Sequence, residues 1–139
     1  MKLVTYTLVS LALLGINIET SFAQQTFSNR PYLIAHEGKG QVVESGPYHL
    51  ELVPEKSSEG MHLDMFVLRG DNHQTIPNAK VTGIVQLPNG TQKDVTFKYD
   101  ATDKHYTYLL PVKIPGQYNL KITVEIDNKK VNARYSFKE

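Results

Sequence analysis

From about residue 40 to its end, this chain is written in a two-residue period. Apolar and polar side chains alternate over residues 48–53, and the run 61–68 alternates before turning apolar on both faces. Further runs at 81–87, 95–99, 105–110, 118–126 and 131–137 are rich in Val, Ile, Thr, Tyr and Phe. Such side chains suit a pleated, half-buried surface, and successive ones on a strand face opposite ways. No window holds a 3.6-residue apolar period with caps, so helix content is expected near zero. Turn residues separate the runs at 54–60, 70–78, 88–90, 100–104, 115–116 and 127–128. Asn89-Gly90 is the clearest of them, because both residues accept the positive φ of a tight hairpin. Seven or eight short strands so spaced predict an all-β, antiparallel β-sandwich over residues 40–139.

The stretch Ile114-Pro115-Gly116-Gln117-Tyr118-Asn119-Leu120 adds detail. A turn followed by Gly-x-Tyr-x-apolar is how immunoglobulin-like sandwiches enter a late core strand, with the Tyr hydroxyl bonded back to the corner. Tyr118 is therefore read as structural and the sandwich as immunoglobulin-like. Leu120 stands where antibody domains carry a cysteine, and this chain has none. Its stability is expected from packing and strand pairing, with a metal as the one further source.

Residues before 40 read differently. Lys2 is a positive leader charge, residues 3–18 are mostly apolar, and Ser21-Phe22-Ala23 has small residues where a signal peptidase reads. The apolar run is shorter than the ~20 residues that span a bilayer. The expectation is a signal peptide over residues 1–23, a flexible lead-in over 24–39, a periplasmic or secreted location, and no stable membrane insertion after cleavage. Net charge is +1, and Lys129-Lys130 is the one adjacent basic pair. Nucleic acid is thus excluded as a partner, since phosphate binding needs a concentrated basic surface. No Gly-x-Ser-x-Gly or His-Glu-x-x-His motif occurs, so no enzyme is expected.

Three of the five histidines, His36, His49 and His62, fall in one short stretch together with Met61 and Met65. Strand alternation sorts them. On 48–53, His49 and Glu51 face away from Tyr48, Leu50 and Leu52; on 61–68, His62 and Asp64 face away from Met61, Leu63, Met65 and Val67. Burying both apolar sets on one side puts His49, Glu51, His62 and Asp64 together on the other. One permitted register sets His49 opposite Asp64 and Glu51 opposite His62, with Cβ atoms roughly 4.5–5.5 Å apart. Met61 and Met65 become core. The remaining nitrogen and oxygen donors suit Zn(II), Cu(II) or Ni(II), and His36, beside Gly38 and Gly40, could fold over as a further ligand. The same alternation also describes a solvated face holding plain His–carboxylate pairs. His73 and His105 are read as surface residues.

The segment from His36-Glu37-Gly38-Lys39-Gly40 through Val42-Val43-Glu44-Ser45-Gly46-Pro47-Tyr48-His49-Leu50-Glu51-Leu52-Val53 resembles the opening of small exported bacterial domains. Their pattern is roughly His-Gly-Gly, then Val-Val-Glu-x-Gly-x-Tyr-His-x-Glu-Leu-Val. They occur alone or attached to heavy-metal efflux systems and are described as periplasmic metal-binding modules. The remainder resembles YtkA-like immunoglobulin-like domains, cyanobacterial ones in particular. The resemblance implies metal binding through His36, His49 and Glu51, and an efflux-system or other periplasmic protein as partner. Glu37 departs from the pattern, which has glycine there. Two functions follow as expectations. One is an exported, non-enzymatic accessory protein that binds Zn, Cu or Ni for metal homeostasis or efflux. The other is a ligand-free structural or protein-interaction module.

Overall fold

The computed structural model describes the backbone of Leu33–Ala35 and residues 40–139; the expected signal peptide, its cleavage site and His36 lie outside the described residues. In chain order the strands are β1 (Leu33–Ala35), β2 (Gln41–Ser45), β3 (Tyr48–Ser57), β4 (Gly60–Arg69) and β5 (Lys80–Gln86). They continue with β6 (Gln92–Thr96), β7 (Lys98–Asp100), β8 (His105–Leu110), β9 (Gln117–Ile126) and β10 (Lys129–Lys138). All pairings are antiparallel. One sheet has the order β1-β2-β3-β4-β8-β7 and the other β10-β9-β5-β6. No helix occurs among the described residues.

The strand count exceeds seven or eight for local reasons. The run 95–99 divides at Phe97, where the chain leaves the four-stranded sheet as β6 and joins the six-stranded sheet as β7. The amide of Phe97 donates to the carbonyl of Val81 at the crossing. At the other end, β1 lies inside residues 24–39, the stretch expected to be a flexible lead-in, and pairs with β2.

The inner faces meet in one core. Val43, Leu50, Leu52, Met61, Leu63, Met65 and Val67 from the larger sheet are at most 1 % exposed, as are Val81, Val85, Leu120, Ile122 and Val124 from the smaller. Each fully buried aliphatic side chain of this kind contributes roughly 1.5–3 kcal/mol of transfer free energy. Three tyrosines tie the layers with their hydroxyls. Tyr118 donates to the carbonyl of Ile114 (2.7 Å) and accepts from its amide (3.1 Å), which is the predicted corner. Tyr106 donates to Ile76 and accepts from Ala79 in the β4–β5 crossover. Tyr135 of β10 crosses to the larger sheet and donates to the carbonyl of Leu50 at 3.0 Å.

The β3–β4 register departs from the expected one. Residues 54–60 do not form a seven-residue loop. Both strands run on to a two-residue turn at Ser58-Glu59, and the ladder closes at Ser57 opposite Gly60. Pro54, which suggested a turn, is accommodated because β2 ends at Gln41, opposite Leu52. Among the described residues nothing pairs with that edge of β3 beyond this point, so the missing N–H of Pro54 breaks no described ladder bond. The pairing is displaced by four residues, so His49 stands opposite Leu68, Glu51 opposite Phe66, Val53 opposite Asp64 and Glu55 opposite His62.

Candidate metal centre

A displacement by an even number of residues leaves every side chain on its predicted face. His49, Glu51, His62 and Asp64 do share the outer face of the six-stranded sheet. They do not share a location. At about 3.3 Å per residue, the partner of Asp64 lies ~13 Å along β3 from His49, and that of His62 lies ~20 Å away. A single site containing all four, with His49 across from Asp64 and Glu51 across from His62, is corrected by this register. Met61 and Met65 are core residues, 1 % and 0 % exposed.

What surrounds His49 comes instead from β2 and from the loop after β4. The hairpin Glu44-Ser45-Gly46-Pro47-Tyr48-His49 turns on Gly46 and Pro47, with Gly46 at φ 58°. Gly at the first central position is what a type II′ turn requires. This turn sets Glu44 directly opposite His49. Nδ1 of His49 lies 2.5 Å from Oε1 of Glu44, and Nε2 lies 4.0 Å from Oε2 of Glu51. The His49 side chain is 11 % exposed, that of Glu51 32 % and that of Glu44 47 %. The Glu51 carboxylate lies against Gly40, where a Cβ would collide with it. Only glycine permits that approach.

His73 completes the group. Beyond Arg69 the chain folds back so that Thr75 bridges Leu68, the register partner of His49. The loop is closed by Arg69 N to Gln74 O and His73 N to Arg69 O, both 2.9 Å, and by Gln74 N to the Asn72 side chain at 3.0 Å. His73 takes φ 55°, an uncommon conformation for a residue with a Cβ. Its ring meets that of His49 edge-on, with centroids 4.8 Å apart. Sequence reading took His73 for a surface residue, and it is exposed; what that reading missed is its ring contact with His49. No local signal marks that contact, which depends on the loop returning over the strand paired with β3.

Asp64 and His62 have other surroundings. Asp64 Oδ1 accepts from the Thr107 hydroxyl at 2.8 Å and lies 3.2 Å from Nε2 of His105. His105, also read as a surface residue, has a side chain only 12 % exposed, and its ring packs against Phe66. His62 stands between Glu55 and Leu109 in the ladder.

Burial, and secondarily the charge of Glu51, pushes the Tyr135 phenol far above the usual tyrosine range. Two imidazoles and two carboxylates at one corner of a sheet are a nitrogen–oxygen donor set of the kind that holds Zn(II), Cu(II) or Ni(II). Ligands about 2.0–2.1 Å from a tetrahedral ion lie roughly 3.3 Å apart, so Glu51 would need to close on His49. Its partial exposure leaves room to do so. Among the described residues, no three His, Asp or Glu side chains already converge at coordination distance. A surface depression of about 540 Å³, lined by Ile84, Gln86, Arg134 and others, is on the opposite sheet and contains no histidine.

No protein-family model matches this chain, and no curated protein matches it in sequence. Solved structures do match in fold. FetP from uropathogenic Escherichia coli strain F11, in an as-isolated form expressed recombinantly in the periplasm, aligns with a TM-score of 0.63 and 16 % identity, covering 73 % of this chain and 93 % of FetP. A copper-bound variant of FetP aligns with a TM-score of 0.60 and 16 % identity, covering 72 % and 94 %. The predicted all-β sandwich is therefore the fold of this chain, and it is one that FetP shares.

Proposed function

We propose that this chain is an exported, non-enzymatic protein that binds a divalent transition metal, Zn, Cu or Ni, at the corner formed by His49, Glu51 and His73. The observation that carries this reading is the convergence of three elements on one imidazole: β3 supplies His49 and Glu51, β2 supplies Glu44, and the loop after β4 supplies His73. Support comes from the fold likeness to FetP, of which one form is copper-bound. The sequence resemblance to YtkA-like and efflux-associated modules adds His36 as a further ligand, a periplasmic location, and an efflux-system or other periplasmic protein as partner. Asp64 and His62 take no part in this corner.

The test is calorimetric titration of the purified chain with Zn(II), Cu(II) and Ni(II). Binding tighter than about 0.1 mM is expected, and it is lost in the His49→Ala/His73→Ala double variant. No binding at that level, or binding indifferent to both substitutions, would overturn the proposal and leave a ligand-free module.

A further inference from the structure

We infer that Glu44 is a positioning residue that selects the tautomer of His49 and leaves Nε2 as the metal donor. The inference rests on the metal reading above and adds what decides which nitrogen is used. An ionised carboxylate accepts hydrogen bonds and cannot donate them. With Glu44 Oε1 at 2.5 Å, Nδ1 of His49 must therefore carry the proton. A neutral imidazole has one N–H, so Nε2 then presents a lone pair. That lone pair faces the second carboxylate, Glu51, at 4.0 Å. Two acceptors so placed repel each other until a cation lies between them. Without Glu44 the preference reverses, because Nε2–H could donate to Glu51 and the lone pair would turn to Nδ1, away from Glu51.

The architecture is suited to this role. Glu44 and His49 are a directly opposed ladder pair, closed by a two-residue hairpin turn, so backbone geometry places the carboxylate. Metal-bound histidines typically donate their other N–H to such a partner, and losing the partner costs 10–100-fold in affinity. A merely structural Glu44 would pin β2 to β3 and do nothing to the ring.

Two readouts on the full chain separate these roles. The first is the ¹⁵N spectrum of the His49 ring without metal. The wild type is expected in the Nδ1–H form, and Glu44→Gln is expected to lose that preference, because its amide can donate to Nδ1. The second is Zn(II) affinity, expected to fall 10–100-fold in Glu44→Gln and to be partly restored in Glu44→Asp. An Nε2–H wild type, or equal zinc affinity in wild type and Glu44→Gln, overturns the role of Glu44 alone. A wild type that takes up no zinc overturns the metal reading itself, whatever the tautomer.

Discussion

His49 and His105 lie on the same face of the same sheet, and each has a carboxylate directly opposite in the ladder, Glu44 and Asp100 respectively. Their surroundings nevertheless differ. Asp100 accepts the backbone amides of Thr102 and Asp103 through Oδ1, so His105 turns to Asp64, which is also held by the Thr107 hydroxyl. Each carboxylate at that end has a donor other than the imidazole. Around His49 there are two carboxylates for one imidazole, and among the described residues Glu51 receives no hydrogen bond. The same residue types in the same kind of ladder thus give a closed polar network at one end and a surplus of acceptors at the other. Readiness for a cation depends on which acceptors are already satisfied, more than on how many histidines a face carries.

The widest contrast is expected in metal affinity. His49→Ala lowers Zn(II) affinity by about 100-fold or more, at least matching the loss of an outer partner. His62→Ala/His105→Ala leaves it unchanged, as calorimetry can check. Equal losses in the two variants would erase the distinction between the two ends.

Turn substitutions sharpen it further. Gly46 and Gly90 both have positive φ with open space around a would-be Cβ. Alanine at either position should cost about 1–2 kcal/mol in urea denaturation, from backbone strain alone. Only Gly46→Ala should also weaken zinc binding, because that turn sets Glu44 opposite His49.

Thr107→Val removes one donor from Asp64 and is expected to cost about 1 kcal/mol, with metal affinity untouched. The smallest effect concerns Asp100. The backbone amides of Thr102 and Asp103 hold its carboxyl below the usual aspartate range. A carboxyl lowered in the folded state contributes stability that is complete above its unfolded value, near 3.9, and is lost as pH falls through the folded one. Asp100→Asn should therefore lower the neutral plateau slightly and flatten the acid limb of a stability-against-pH curve, with stability at the lowest pH little changed. An unchanged limb would show that these two bonds do not persist in solution.

Much of this molecule was legible locally. The corner at Tyr118 follows from Pro115, Gly116 and the Tyr-x-apolar pattern, and it forms as expected. The hairpin at Asn89-Gly90 forms too, with Gly90 N donating to Leu87 O and Thr91 N to the Asn89 side chain. Placing Met61 and Met65 in the core needed only alternation. The candidate site was half legible. His49 and Glu51 were found because they are two residues apart on one strand. Glu44 lay within the quoted segment without an assigned part, since its meaning depends on a register partner. His73 and His105 were set aside because a loop and a strand start say nothing about what they return to.

By itself, then, the sequence determined the class of fold, the face each side chain occupies, and the tight turns where Gly or Asn must stand. Those follow from the two-residue period of a strand and from the few residues that accept positive φ. Which residues meet across that face was decided by tertiary structure. Alternation fixes a register only to within multiples of two, so a four-residue displacement is invisible to it and still moves His62 and Asp64 out of reach of His49. The register observed is the one that closes at the Ser58-Glu59 turn. What completed the corner was the return of the 70–74 loop, a contact between segments far apart in the chain that no local pattern encodes.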